Sequence, residues 1–179
     1  MNPQIVRYNV IARINHWLSA IVIVGMFAAG LWMVDLNYYS SWYEKAPHWH
    51  KSVGLLLAGY TLFRIVWRLL TPAPSVEGNG FEKVAAKVAH LLMYALLLGI
   101  FATGYLISTS DGRGIDVFNW FTIPSIGALF DNQSDIAGLL HYYFAIVLIG
   151  LAVIHVLAAL KHHFINKDNT LRKMTGASK

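Results

Sequence analysis

Two histidines on one apolar stretch, His141 and His155, stand fourteen residues apart. In an α-helix that spacing falls about 40° short of four full turns, so both imidazoles project from one face. The rise between them is roughly 21 Å. A bilayer core is about 30 Å thick, so one imidazole lies near each leaflet. Ionisable groups inside a membrane are costly, and they face the bundle interior. Imidazole is a good axial ligand for haem iron, and a stacked pair at this separation suits two haems, one above the other. The chain has no cysteine. Disulfides, thiolate catalysis, thiolate-ligated clusters and covalent c-type attachment are therefore excluded, and any haem is held non-covalently through histidine.

These histidines need elements to carry them. Of 179 residues, 56% are hydrophobic and 13% charged, and that charged share is about half the value usual for a soluble domain. Four apolar stretches stand out, roughly 16–36, 50–70, 88–109 and 137–160, each close to the roughly 20 residues that span a bilayer as helix. The second holds Lys51, Arg64 and Arg68, whose long stems let the charges snorkel from its ends. Open sheets leave backbone groups unsatisfied in lipid, so the expected fold is all-α: an integral membrane four-helix bundle forming one domain over residues 1–179. Arg7, Arg13 and Ala28-Ala29-Gly30 lend the first stretch a faint look of a signal peptide. Its apolar run is too long for that and opens on an imidazole, so it reads as a retained helix.

Lysine and arginine divide unevenly between the two sides that four spans create. Arg7, Arg13, Arg64, Arg68, Lys83, Lys87, Lys161, Lys167, Arg172, Lys173 and Lys179 fall on the side of the termini, and only Lys45, Lys51 and Arg113 on the other. The positive-inside rule thus predicts both N- and C-termini in the cytoplasm or its equivalent. The net charge of +5 follows from that topology and implies contact with anionic lipid headgroups of the bilayer, with no nucleic-acid partner. Asn37–Trp49 links the first two helices on the outer side. Thr71-Pro72-Ala73-Pro74-Ser75 breaks the second, and Val76–Lys87 returns the chain on the inner side. The longest link, Ser110–Ile136, contains Phe118-Asn119-Trp120-Phe121, which suggests a short helix lying in the outer interface.

Sorting the histidines by depth pairs them. His50 opens the second helix on the outer side, level with His141; His16 opens the first on the inner side, level with His155. Small residues follow each at helical spacing: Ala20 after His16, Gly54 and Ala58 after His50, and Ala145, Ala152 and Ala159 on the face of His141 and His155. They leave room for the edge of a macrocycle, although small residues also serve plain helix packing. His90 has no partner left at its depth and suits a structural role or contact with a haem propionate. His48 sits just outside the second helix. Arg64, fourteen residues after His50, either meets a propionate or snorkels.

Several runs resemble the bacterial cytochrome b561 family. They are Ile14-Asn15-His16-Trp17-Leu18; His50 with Gly54 and Arg64; His90-Leu91-Leu92-Met93-Tyr94; the His141/His155 spacing followed by Lys161-His162-His163-Phe164; and the tail Lys167-Asp168-Asn169-Thr170-Leu171-Arg172-Lys173-Met174. Leu31-Trp32-Met33 and Trp42-Tyr43-Glu44-Lys45-Ala46-Pro47 are similar to one enterobacterial subgroup. The resemblance spans nearly the whole chain. It implies four helices, two haem b groups ligated by His16, His50, His141 and His155, and electron exchange with ubiquinone or a related quinone. The family also includes a superoxide oxidase that passes electrons to ubiquinone.

The expected function is therefore a di-haem b cytochrome that moves electrons across the inner membrane, between a periplasmic donor such as superoxide or a redox protein and the quinone pool. Arg64 is a candidate cofactor contact. Lys161, His162 and His163 are candidates for a quinone site. Lys51 and Arg113 are candidates for an outer anion site, although six outer acids (Asp35, Glu44, Asp111, Asp116, Asp131 and Asp135) face three outer bases and oppose an anionic substrate. A haem-bearing anchor or relay subunit of a larger dehydrogenase is the alternative, and a non-redox proton-coupled transporter is the second alternative. Whether the chain is itself an enzyme stays open.

Overall fold

Polar residues at the helix ends, more than hydropathy, decide where this chain begins to wind. In the computed structural model, which describes residues 7–176, Asn9 caps α1 (Val10–Val34) by accepting from the Ala12 N–H at 2.7 Å. α2 (Lys45–Leu70) starts a full turn earlier than its apolar run and takes in His48 and Trp49, which had been expected outside it. Pro47 is tolerated there because N–H groups of a first helical turn lack partners anyway. Thr71 and Pro72 end the helix. α3 (Gly80–Thr109) also starts early, fixed by a reciprocal capping box between Asn79 and Glu82. α4 (Gln133–Phe164) overruns its apolar stretch at both ends, and a short α5 (Thr170–Thr175) follows. Four of these helices are long and apolar enough to cross a membrane, and together they form the expected all-α bundle.

The link between α3 and α4 holds a two-stranded hairpin where a short interfacial helix was expected. β1 (Ile115–Val117) pairs antiparallel with β2 (Phe121–Ile123), with Val117 opposite Phe121. Phe118 and Asn119 both carry positive φ, 48° and 58°, and the Trp120 N–H closes the turn on the Val117 carbonyl. Two successive positive φ values suit the twist of a hairpin and cannot be propagated as a helix. Ile115 and Val117 are buried while Asp116 is exposed, the alternation of a half-covered strand.

The bundle consists of two helix pairs. α3 lies against α4 along much of its length, α1 lies against α2, and contact between the pairs is sparse. Close approach rests on small and hydroxylated residues. Gly99 receives the Phe144 ring, which a Cβ there would meet at 2.9 Å. Ser19, Ser52, Thr103 and Thr109 are buried, and each hydroxyl lies within hydrogen-bonding distance of the carbonyl four residues earlier. Large apolar side chains point outward along all four helices, as lipid requires.

Each end of the bundle is closed by polar tethers. At the end bearing both termini, the tail folds back. The Tyr8 N–H donates to the Lys173 carbonyl, Arg13 and Trp17 donate to carbonyls of residues 174 and 175, and buried Lys173 reaches Glu77 and the Ser75 carbonyl. Lys179, counted among the inner cations, lies outside the described residues. At the far end, the Tyr105 hydroxyl donates to the Pro124 carbonyl, and Gln133 ties Leu129 to Leu106. Ser52, fully buried on α2, accepts from the Phe118 N–H at 3.1 Å and so holds the hairpin turn. Ser52→Ala leaves that N–H without its acceptor, at a cost of about 1–2 kcal/mol. Amide exchange at Phe118–Phe121 should accelerate while the helices keep their protection; unchanged exchange there would show that Ser52 does not anchor the turn.

Candidate haem-binding site

Four imidazoles meet in two pairs, at opposite ends of the bundle. His16 on α1 faces His155 on α4 with ring centroids 6.2 Å apart, near the termini. His50 on α2 faces His141 on α4 at 6.3 Å, at the far end. α4 thus supplies one member of each pair, as its fourteen-residue spacing predicts. Both pairs bridge the gap between the two helix pairs, where contact is sparse. Two metal–imidazole bonds of about 2.0 Å each, plus the ring radii, separate centroids by roughly 6 Å. Both pairs therefore have the spacing of two axial ligands on one metal, and the residues fit haem.

The far-end pair shows how one ring is oriented. His141 Nδ1 lies 3.0 Å from the Ile100 carbonyl and 3.3 Å from the Thr103 hydroxyl. A carbonyl can only accept, so Nδ1 carries the proton and Nε2 keeps its lone pair for a metal. Two glycines crowd these imidazoles from neighbouring helices. A Cβ on Gly104 would lie 3.2 Å from His141 Cε1, and one on Gly30 would lie 3.4 Å from His50 Cε1. At Gly54, expected beside a haem edge, an added Cβ would lie 3.6 Å from Met26 Cε. His50 Nδ1 is buried without a partner, an arrangement whose cost is offset only if the ring has another function.

The end near the termini is more crowded than expected. His90 does have a neighbour at its depth: its ring lies 5.2 Å from that of His155, so three imidazoles converge there. Depth alone pairs His155 with His16 and leaves His90 over; the close packing of α3 on α4 adds it as a third ring. Arg64 turns inward, with Nη2 3.4 Å from His16 Nδ1 and its guanidinium 5.5 Å from the Tyr94 ring centre. Arg68, one turn further on, is exposed. Tyr60 donates to buried Asn15 at 2.6 Å beside His16, a contact that no spacing rule picks out.

The remaining candidates are not gathered into single sites. Lys161 donates to Glu82 at 2.6 Å, and His162 Nδ1 lies 2.5 Å from Asp168. His163 Nδ1 is buried and unpartnered, with Phe164 against its ring. Burial alone would raise the Asp168 pKa, but hydrogen bonds from His162 and Thr170 outweigh it and hold the carboxyl below its usual range. Arg113 folds back on Asp111 at 2.5 Å, and this hydrogen-bonded contact keeps that carboxyl below its usual range as well. Lys51 is exposed, with no ion pair among the described residues.

Comparisons with known proteins identify the family. Residues 7–177 match the family described as prokaryotic cytochrome b561. The chain is 49% identical over 174 residues to cytochrome b561 homolog 2 of Escherichia coli (strain K12), covering 96% of this chain and 93% of that protein. It is 27% identical over 162 residues to the probable superoxide oxidase CybB of Yersinia pestis, covering 89% and 90%. Identity to cytochrome b561 homolog 1 of Escherichia coli (strain K12) is 25% over 171 residues, covering 89% and 91%. With four membrane-length helices and a match over nearly its whole length, the chain belongs to the prokaryotic cytochrome b561 family of multi-pass inner-membrane proteins, which transfer electrons with haem b.

Proposed function

We propose that this chain is a di-haem b cytochrome carrying electrons across the inner membrane between a periplasmic donor and the quinone pool. The observation that carries this reading is the pair of facing imidazoles at each end, at 6.2 and 6.3 Å. Bound haem supplies reversible one-electron exchange. The protein holds each group between two helix pairs, orients His141 through the Ile100 carbonyl, and keeps Gly30 and Gly104 flat against the rings. The hairpin and the folded tail restrict water at the two ends. Uneven placement of lysine and arginine supports an orientation with both termini in the cytoplasm. The family's haem b chemistry displaces the proton-coupled transporter as a reading.

Quinone reaction belongs, on this proposal, at the termini-bearing end. The Asp168 carboxylate steadies His162, a pairing suited to passing a proton to a carbonyl oxygen. His163 keeps an unpartnered buried nitrogen. Lys161 is committed to Glu82, so the two histidines are the better donors. Superoxide is a candidate donor at the far end because a relative is named a probable superoxide oxidase. Pairing of Arg113 with Asp111 leaves Lys51 as the stronger attractor there.

Haem content decides the central claim. The purified chain should hold two haem b, with reduced-minus-oxidised spectra of bis-histidine type. His50→Ala or His141→Ala should remove one, and His16→Ala or His155→Ala the other; Gly104→Val should mimic His141→Ala by displacing its ring. A fully loaded chain with one haem would overturn the reading. For the quinone, His162→Ala with His163→Ala should slow quinone-dependent reoxidation by about 10²-fold, the range of a lost general acid; an unchanged rate moves the site elsewhere. For superoxide, Lys51→Gln with Arg113→Gln should slow haem reduction, and the wild-type rate should fall as salt rises. A rate indifferent to both would exclude guidance by these charges.

A further inference from the structure

The end that bears the termini contains a basic hollow that electron transfer does not use. A cavity of about 520 Å³ is lined by Arg7, Tyr8, Asn9, Val10, Arg13 and Pro72. Among the described residues its charge is uncompensated. The three described carboxylates at this end, Glu77, Glu82 and Asp168, are paired with Lys173, Lys161 and His162. Arg7 and Arg13 form no ion pair among the described residues. Arg13 is nevertheless held in place, donating through Nε and Nη2 to the Met174 and Thr175 carbonyls at 3.2 and 2.6 Å. Carbonyls orient a guanidinium without cancelling its charge, so the cation is positioned before any ligand arrives.

An apolar lane runs from this hollow along the outside of α1. Val10 lines the cavity and is 63% exposed; Ile14, Leu18 and Ile21 follow on the same helical stripe at 56%, 47% and 69%. A basic pocket that opens onto an apolar lane matches an amphiphile with an anionic head, and a free phosphate has no use for the lane. We propose that the hollow binds the phosphodiester headgroup of an anionic phospholipid, with an acyl chain lying along Val10, Ile14, Leu18 and Ile21. Through Arg13 the headgroup would also brace the folded tail, which Lys173 fastens to the link between α2 and α3.

Native mass spectrometry of the full chain, stripped of lipid in detergent, tests this. Phosphatidylglycerol and phosphatidylcholine with identical chains are titrated separately. Phosphatidylcholine carries the same phosphodiester, but its choline cation is repelled by the two arginines, so it should bind roughly 25-fold more weakly, about fivefold for each arginine whose attraction is offset. Arg7→Gln and Arg13→Gln should each weaken phosphatidylglycerol by about fivefold and so narrow its advantage over phosphatidylcholine. Lys83→Gln, at the same end but outside the cavity, should change neither. Arg13 also holds the tail, so Arg7→Gln, whose side chain makes no hydrogen bond among the described residues, guards against misfolding as the cause. Equal binding of the two lipids, or full retention of phosphatidylglycerol by Arg7→Gln, would overturn the proposal. So would glycerol phosphate binding as tightly as phosphatidylglycerol, which would identify a site for free phosphate.

Discussion

Imidazoles inside a hydrocarbon environment must be given partners by the protein itself, and much of this bundle is arranged around that constraint. Water is not at hand to pay the cost of a buried ring nitrogen. Here histidines face one another across the gap between α1/α2 and α3/α4, with no hydrogen bond between the rings. Ring spacing then matches the reach of two axial bonds on one metal. The sparse contact between the helix pairs suits the proposed function: side chains that filled that gap would leave no room for a macrocycle between the imidazoles.

Closing the bundle falls to its ends. A hairpin fastened by Ser52 lies over the far end, next to His50 on the same helix. The other end is closed by a tail whose cations and carbonyls reach the start of α1 and the link after α2. These tethers are polar and sit at the bilayer surface, where such contacts are affordable without burying unpaired groups. They use every carboxylate at the termini-bearing end among the described residues, and this leaves Arg7, just before α1, and Arg13, in its first turn, without an acidic partner among those residues.

Much of the fold was legible because bilayer thickness and helical period leave few options. Four apolar runs became four helices, and depth sorting of His16, His50, His141 and His155 matched the observed contacts. Boundaries were less legible, since caps such as Asn79 with Glu82 extend helices past the apolar run. The hairpin escaped because its turn rests on positive φ at Phe118, a residue type that does not advertise such a conformation.

What the sequence determined by itself was the set of chemistry-bearing residues and their depths, because rise per residue is a local property of a helix. Only the tertiary structure decided which side chains share a space, because helix rotation and pairing are set by contacts distant in sequence. Gly30 against His50, Gly104 against His141, the Ile100 carbonyl on His141 Nδ1 and His90 against His155 are all contacts between helices. For the same reason Lys161, His162 and Arg113, adjacent to candidate sites in sequence, are drawn into pairs with Glu82, Asp168 and Asp111.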